Sequence, residues 1–485
     1  MNQNRLASAL LCMLVLSSCS LAPTYKKPET PVPAEYKGAN GMWKKAVPSD
    51  RLTRGDWWEL YNDALLDNLV GQLDAANADL AAAVAHFDKA TAYAAEARSF
   101  LFPTVTAGLL NTRNKQSLHR VHRAAVSNGG GQLNVYGNNN IGLAANYEVD
   151  LWGRVHNLVA AGEAGEQAAA LDLESVRLSL RAELADDYLA LRSLDAQASL
   201  LEDQVSAYNK ALTLTQNRFK GGIDSALDVS LAKSQLDTAK AKLADVAASR
   251  ALYEHAIATL VGIPATAFSI KPVVVDMHLP EIPIGVPSTL LQRRPDIAAA
   301  ERRMVEANDK IGIARAAFFP TIMLGAGAGY ESVYQPSWIS APNLYWTIGP
   351  SALLTIFDGG LRQAMVDKAR ASFNLAGAQY RSTVLQAFQE VEDNLSLLNE
   401  LSRESVALRA AVTDTKRTLD LAMNRYKEGA VNYLEVVTAQ TAAQQAQLDE
   451  LNLRKRRLQA SVNLIRALGG GWSSDSMKNS DMTSK

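Results

Sequence analysis

The chain has 485 residues, with 49 Lys and Arg against 50 Asp and Glu and a formal net charge of −1. That balance gives no electrostatic reason to expect a nucleic-acid partner. The only cysteines are Cys12 and Cys19, so the body of the chain carries no disulfide, no zinc cluster and no thiol nucleophile.

The N-terminus reads as a targeting segment. Arg5 precedes an apolar run from Leu6 to Leu16 that is too short to span a bilayer. Leu16-Ser17-Ser18-Cys19 then has the pattern of a bacterial lipobox. Residues 1–18 are expected to be a signal peptide. Cys19 is expected to become the first residue of the mature chain, carrying N-palmitoyl and S-diacylglycerol groups. Ser20, and not an aspartate, follows it, which points to the outer membrane of a Gram-negative cell. No later stretch is long and apolar enough to be a transmembrane helix. An acyl anchor and a closed β-barrel are the remaining ways to meet a membrane.

After a first helix, two strand-like segments are expected at Thr104–Thr112 and Asn140–Leu151. Val105, Ala107 and Leu109, then Ile141, Leu143, Ala145, Tyr147 and Val149, alternate with small or polar residues. Between the strands, the segment Arg113–Gly131 holds His119 and His122 among Arg113, Lys115, Arg120 and Arg123, with no acidic residue. Two histidines without a third ligand make a poor metal site. The segment reads as a solvated extracellular loop suited to anionic lipopolysaccharide.

From Arg154 to Phe219 no proline interrupts a helical pattern. Leu194, Ala198, Leu201, Val205, Tyr208, Leu212, Thr215 and Phe219 form a heptad seam. About 65 residues at ~1.5 Å each make a helix of roughly 100 Å, which needs partner helices along its length. Gly221-Gly222 ends it, and Ser225 with Asp228 has capping-box spacing for a returning helix from about Ala226 to Leu260.

The second half repeats the first. Ala97-Arg98…Phe102-Pro103 recurs as Ala314-Arg315…Phe319-Pro320, followed by strands at Thr321–Glu331 and Tyr345–Phe357. Asn217-Arg218-Phe219-Lys220 recurs as Asn424-Arg425-Tyr426-Lys427, an offset of 207 that also relates Leu194 to Leu401 and the rest of the seam. Gly429, Asn432 and Glu435 repeat the tip, and a helix returns from Tyr433 to Leu468. The glycines at 325–329 lack the Lys-Ser/Thr of a phosphate loop and fit a strand. Arg454-Lys455-Arg456-Arg457 reads as a solvated helix face. No nucleophile elbow or acid/base pair stands out, and an enzyme is not expected.

Four strands cannot close a barrel, since the smallest known has about eight. If the strands span a membrane, chains must combine. Two would supply eight strands and three would supply twelve.

These features resemble the outer-membrane factor (TolC-like) family and, within it, the lipidated OprM/NodT-like branch. The resemblance rests on the lipobox, Trp57-Trp58 ahead of Leu66…Leu69-Val70, the two Phe-Pro strand openings, Asp150-Leu151-Trp152-Gly153-Arg154, Phe357-Asp358-Gly359-Gly360, and the two Asn-Arg-[Phe/Tyr]-Lys tips. It implies a mixed, mostly α fold: a homotrimer with a twelve-stranded transmembrane β-barrel, continued by a long periplasmic coiled-coil α-barrel with an equatorial belt. It divides the chain into a signal peptide (1–18), an acylated wrapping segment (19–62), a first repeat (63–262), a linker (263–286), a second repeat (287–469) and a tail (470–485). The implied function is that of an exit duct in a resistance-nodulation-division type efflux system. The partners are a periplasmic adaptor, an inner-membrane pump and outer-membrane lipid, and no cofactor is needed beyond the acyl groups. A protein-secretion duct and a purely structural coiled-coil lipoprotein are the alternatives.

The resemblance assigns the resting gate and adaptor contact to the two tips. The residues are Arg218, Gly222, Asp224, Leu227 and Asp228 in the first copy, and Arg425, Gly429, Tyr433, Leu434 and Glu435 in the second. Where OprM-like members carry an acid and an arginine, this chain has Thr438 and Thr441. Closure is therefore expected to rest on packing and polar contacts around Tyr433 and Leu434.

Overall fold

The structure is a computed structural model that describes residues 20–29, 36–37, 56–115, 117, 135–280, 282, 293–333 and 338–470. Cys19, His119 and His122 lie outside the described residues. In chain order the elements are α1 (Ala64–Ala76), α2 (Ala78–Ser99), β1 (Thr104–Lys115), β2 (Val135–Glu148), α3 (Arg154–Lys220), α4 (Ala226–Leu260), α5 (Pro295–Ala316), β3 (Thr321–Ser332), β4 (Leu344–Leu353), α6 (Leu361–Lys427) and α7 (Tyr433–Ala467). The fold is mixed and mostly helical. The duplication is carried into three dimensions: α3 and α6 are each 67 residues long, and α4 and α7 are each 35. Among the described residues no helix is long and apolar enough to cross a membrane.

The chain forms two compact units. One contains residues 1–28, 88–168 and 301–379 and is built on an antiparallel sheet in the order β1-β2-β3-β4. The register places Leu109 beside Ile141, Ile141 beside Tyr330, and Tyr330 beside Leu344, so alternate residues form continuous rows on each face. One face carries Val105, Leu109, Leu143, Trp346 and Ile348, all exposed, with Trp346 and Ile348 each at 74%. The other carries Thr106, Gly108, Asn140, Gly142, Gly327, Gly329 and Thr347.

Two strands end earlier than their alternation predicts, for the same reason. Past Glu148 the chain turns at Gly153 (φ 69°), and Asp150 accepts a bond from the backbone N–H of His156 to cap α3. Past Leu353 it turns at Gly359 and Gly360, both with positive φ, and Asp358 caps α6 through the N–H groups of Gly360 and Arg362. Residues 354–357 thus belong to the turn; the β3 partner has already ended at Thr321. Trp152 stacks on Phe319 with centroids 4.7 Å apart and donates its indole N–H to the Pro320 carbonyl at 2.8 Å, which ties the start of α3 to the start of β3. The N-terminal segment is pinned in this unit. Ser20 donates to Asn157 at 2.7 Å, Arg315 and Asn308 donate to the Leu21 and Pro23 carbonyls, and Lys27 pairs with Glu301.

The second unit contains residues 29–87, 169–300 and 380–485. Trp57, Trp58 and Tyr61 are buried, as are Leu66, Leu69 and Val70, which accounts for the aromatic pair and the Leu-rich motif behind it. Tyr61 bonds Ser461 at 2.7 Å, and Tyr188 donates to Asp63, the N-cap of α1, at 2.6 Å. The seam of α3 is buried at Leu194, Leu201, Tyr208 and Thr215, and that of α6 at Leu401, Ser405, Val412, Ala422 and Tyr426. Phe219 breaks the expected pattern: it is 46% exposed, whereas its counterpart Tyr426 is 1% exposed.

The linker after α4 is held by a buried ionic clasp. Asp195, whose side chain is 1% exposed, accepts from Arg250 at 2.6 Å and from Arg192 at 2.9 Å. Arg192 and Arg250 in turn donate to the carbonyls of Lys271 and Ile270, and Glu254 accepts from the Ile270 N–H. Buried charges of this kind are tolerated because every partner is satisfied. The basic run in α7 belongs partly to the same system. Arg454 binds Asp276 and the Met277 carbonyl, so 454–457 is not simply a solvated face.

Candidate functional site

The two hairpin turns are built alike. At the end of α3, the Ile223 N–H reaches the Arg218 carbonyl and the Gly222 N–H reaches the Phe219 carbonyl, each at 2.9 Å. At the end of α6, the Ala430 and Gly429 N–H groups reach the Arg425 and Tyr426 carbonyls. Both are Schellman turns, which need a left-handed residue just past the helix. Gly222 (φ 77°) and Gly429 (φ 76°) supply it without a Cβ penalty.

The returning helices start differently. Ser225 and Asp228 form the expected capping box on α4, with the Asp228 N–H donating to Ser225 Oγ and the Ser225 N–H donating to the Asp228 carboxylate. Burial works against the Asp228 charge, but bonds from the Ser225 side chain and backbone outweigh it and hold the carboxyl below its usual range. The second box expected at Asn432 and Glu435 does not form, since the Asn432 side chain makes no cap bond. Glu435 instead accepts from Arg425 at 2.7 Å in an exposed pair. The longer glutamate reaches across the turn to a guanidinium, a stronger partner than a backbone N–H.

A polar cluster lies between the turns. Arg218 donates from Nε to both Asp224 oxygens at 3.1 Å. The Asp224 side chain is 7% exposed and that of Arg218 is 16% exposed. The Tyr426 hydroxyl, from the other hairpin, donates to Asp224. Thr215 Oγ1 lies 3.1 Å from that hydroxyl, and the Arg218 guanidinium stacks over the Tyr426 ring, 4.7 Å from its centroid. Tyr426 meets Tyr433 edge-to-face at 5.2 Å, within a core that includes Ala211, Ala232 and Val436. Residues of α3, α4, α6 and α7 thus meet around two tyrosines.

The sequence-level site divides into three groups. Arg218 and Asp224 join Tyr426 in the buried cluster, and Tyr433 packs beneath it. Gly222, Gly429, Asp228 and the Arg425–Glu435 pair shape the turns. Leu227 and Leu434 project outward, 67% and 53% exposed, beside Ile223 at 68%. Thr438 and Thr441 bond back to the Leu434 and Val437 carbonyls within α7. No charged pair forms at Thr438 and Thr441, as expected; a charged contact not anticipated from the sequence joins Arg218 and Asp224 to Tyr426. Tyr426 was visible in the sequence only as a seam residue. Its signal was the hydroxyl gained where the first copy has Phe219. The cluster joins the two turns.

Burial and the bond to Asp224 push the Tyr426 phenol up to about 12, and burial pushes Tyr433 to about 12. A phenol raised from 10.0 in the folded state contributes stability that is complete below pH ~10 and lost as pH rises through ~12. Tyrosinate absorbance in an alkaline titration checks this. Tyr426→Phe should remove one tyrosine from the phase near pH 12; removal from the phase near pH 10 would contradict the cluster.

The sequence profile of the family described as outer membrane efflux protein matches residues 69–263 and 286–470. The chain is 31% identical over 468 residues to the antibiotic efflux pump outer membrane protein ArpC of Pseudomonas putida, covering 96% of each chain. It is 32% identical over 468 residues to the outer membrane protein OprJ of Pseudomonas aeruginosa, covering 96% of this chain and 95% of that one. Its structure is similar to that of the Campylobacter jejuni CmeC outer membrane channel, with a TM-score of 0.87 at 25% identity over 96% of this chain and 98% of the other. With the profile matched across most of its length in both repeats, the chain belongs to the outer membrane efflux protein family.

Proposed function

We propose that this chain is the exit duct of a tripartite efflux system of the resistance-nodulation-division type. It passes small molecules passively from a periplasmic adaptor and an inner-membrane pump to the exterior and performs no chemistry on them. The observation that carries this reading is the sheet. Its strands are 10 to 14 residues long, enough to cross a membrane when tilted. One face exposes large apolar residues to meet lipid, and the other is mostly small or polar, with Leu110 and Leu353 as its exposed apolar residues, as suits the wall of a water-filled lumen. The outer edges of β1 and β4 have no partner within the sheet, and unpaired backbone cannot face hydrocarbon. Three chains supply twelve strands and close the barrel. A structural coiled-coil lipoprotein would have no use for a sheet divided in this way. The antibiotic efflux role in the name of one relative supports small-molecule cargo.

The acyl anchor fits this placement. Ser20 is held against Asn157, three residues into α3, and β2 ends only six residues before that helix begins. Lipid attached one residue before Ser20 would enter the leaflet beside the inner rim of the barrel. Mass spectrometry of the mature N-terminus should find Cys19 carrying N-palmitoyl and S-diacylglycerol; an unmodified Cys19 would remove the lipoprotein part of the proposal.

The tip is the resting gate and the adaptor contact. The Arg218–Asp224–Tyr426 cluster holds the two hairpins of one chain together, and exposed Ile223, Leu227 and Leu434 form the docking surface. Removing one partner of a mostly buried pair costs about 2–3 kcal/mol. Asp224→Ala should therefore raise single-channel conductance in planar bilayers. Leu434→Ala, whose side chain is exposed in the single chain, should lower drug resistance with the adaptor while leaving conductance near wild type. The reverse pattern would separate the gate from the cluster.

A further inference from the structure

One row of the sheet has almost no side chains. The register sets Gly108 opposite Gly142, Gly142 opposite Gly329, and Gly329 opposite Tyr345. Glycine inside a strand gives up packing and often marks a close approach by another group. Here the approaching group is Tyr345. A Cβ placed on Gly142 would lie 2.7 Å from the Tyr345 hydroxyl. Asn140, two residues along β2 and so on the same face, has its amide nitrogen 3.3 Å from that hydroxyl. The tyrosine therefore starts on β4, crosses β3 at Gly329 and ends over β2. Strand side chains ordinarily stand perpendicular to their sheet. This one lies along it.

The face it lies on is the Gly-, Thr- and Asn-bearing one. The level is near the end remote from the helices, since Tyr345 is the second residue of β4 and β4 leads toward α6. We infer that the recess formed by Gly142 and Gly329 stows Tyr345 flat against the inner wall, so that these two glycines keep the outer mouth of the duct open for bulky cargo. The inference rests on the duct reading, in which this face is the lumen and the row occurs three times around it. With the recess open, three tyrosines lie flat. With it filled, they point inward and narrow the passage.

The two glycines are not equivalent as probes. A Cβ on Gly329 would run into the Ile141 carbonyl oxygen and the Gly142 Cα, which are backbone atoms that cannot give without disturbing the sheet. A Cβ on Gly142 meets first the free end of the tyrosine, and next the Ala328 carbonyl oxygen at 3.0 Å. Gly142→Ala is thus the substitution that displaces Tyr345. The double variant Gly142→Ala/Tyr345→Ala separates that displacement from any strain at Ala328.

The test uses the purified full-length protein in planar bilayers, with Asp224→Ala in every variant so that the tip does not limit the current. Polyethylene glycols of graded size are added from the loop side to measure the mouth. Gly142→Ala should lower conductance about twofold and shift the polymer cut-off to smaller sizes, because conductance follows the narrowest section of a pore. Tyr345→Ala should show neither change, and the double variant should behave like Tyr345→Ala. An unchanged cut-off in Gly142→Ala, or narrowing that persists in the double variant, would overturn the inference. Tyr345→Cys tests the underlying reading separately, since both native cysteines lie in the first nineteen residues. Reaction with a membrane-impermeant thiol reagent from the loop side places the residue in the lumen. Failure to react would overturn the face assignment and the inference with it.

Discussion

Two open sheet edges and one exposed apolar face dictate how this protein must be completed. Every backbone N–H and C=O within hydrocarbon needs a partner, and four strands in a meander leave β1 and β4 each with one unpaired edge. Exposed Leu109, Leu143, Trp346 and Ile348 would be a liability in water. Both problems have one solution, in which copies of the chain share edges and turn the apolar face to lipid. The small and polar residues on the opposite face then line whatever the ring encloses.

The helices answer a different requirement. A 67-residue helix has no stability of its own to match its length, and α3 and α6 hold theirs through seams repeated every seven residues. The repeats diverge most tellingly at the tip. Position for position, Phe219 faces Tyr426, Asp224 faces Val431, and Ala226 faces Tyr433. The first repeat keeps the acid and the second supplies the phenol. The bond between the hairpins is therefore made across the repeats rather than within either. The ion pair itself lies within the first hairpin, where it holds Asp224 in place to accept from Tyr426.

Much of the fold was legible because local chemistry repeats. The absence of proline between Arg154 and Phe219, the glycines at 222 and 429, and the alternation from Val105 to Leu109 each dictate an element with little help from the rest of the chain. The strand ends were less legible. Asp150 and Asp358 were committed to capping helices, and alternation alone does not register that competition. The tip was half legible. Ser225 and Asp228 capped as their spacing implied, whereas Glu435 went to Arg425, because a long carboxylate at a turn has more than one partner in reach. The Asp224–Tyr426 bond spans 202 residues, and no periodicity links its two ends. The ionic clasp around Asp195 was hidden in the same way, since its meaning depends on where the linker backbone passes.

The central claim is that three chains close one barrel. Native mass spectrometry of the full-length protein released from detergent micelles tests it most directly. The account predicts a trimer as the predominant species, persisting until the detergent conditions unfold the protein. A monodisperse monomer with intact secondary structure would leave the edges of β1 and β4 unpaired and would contradict it.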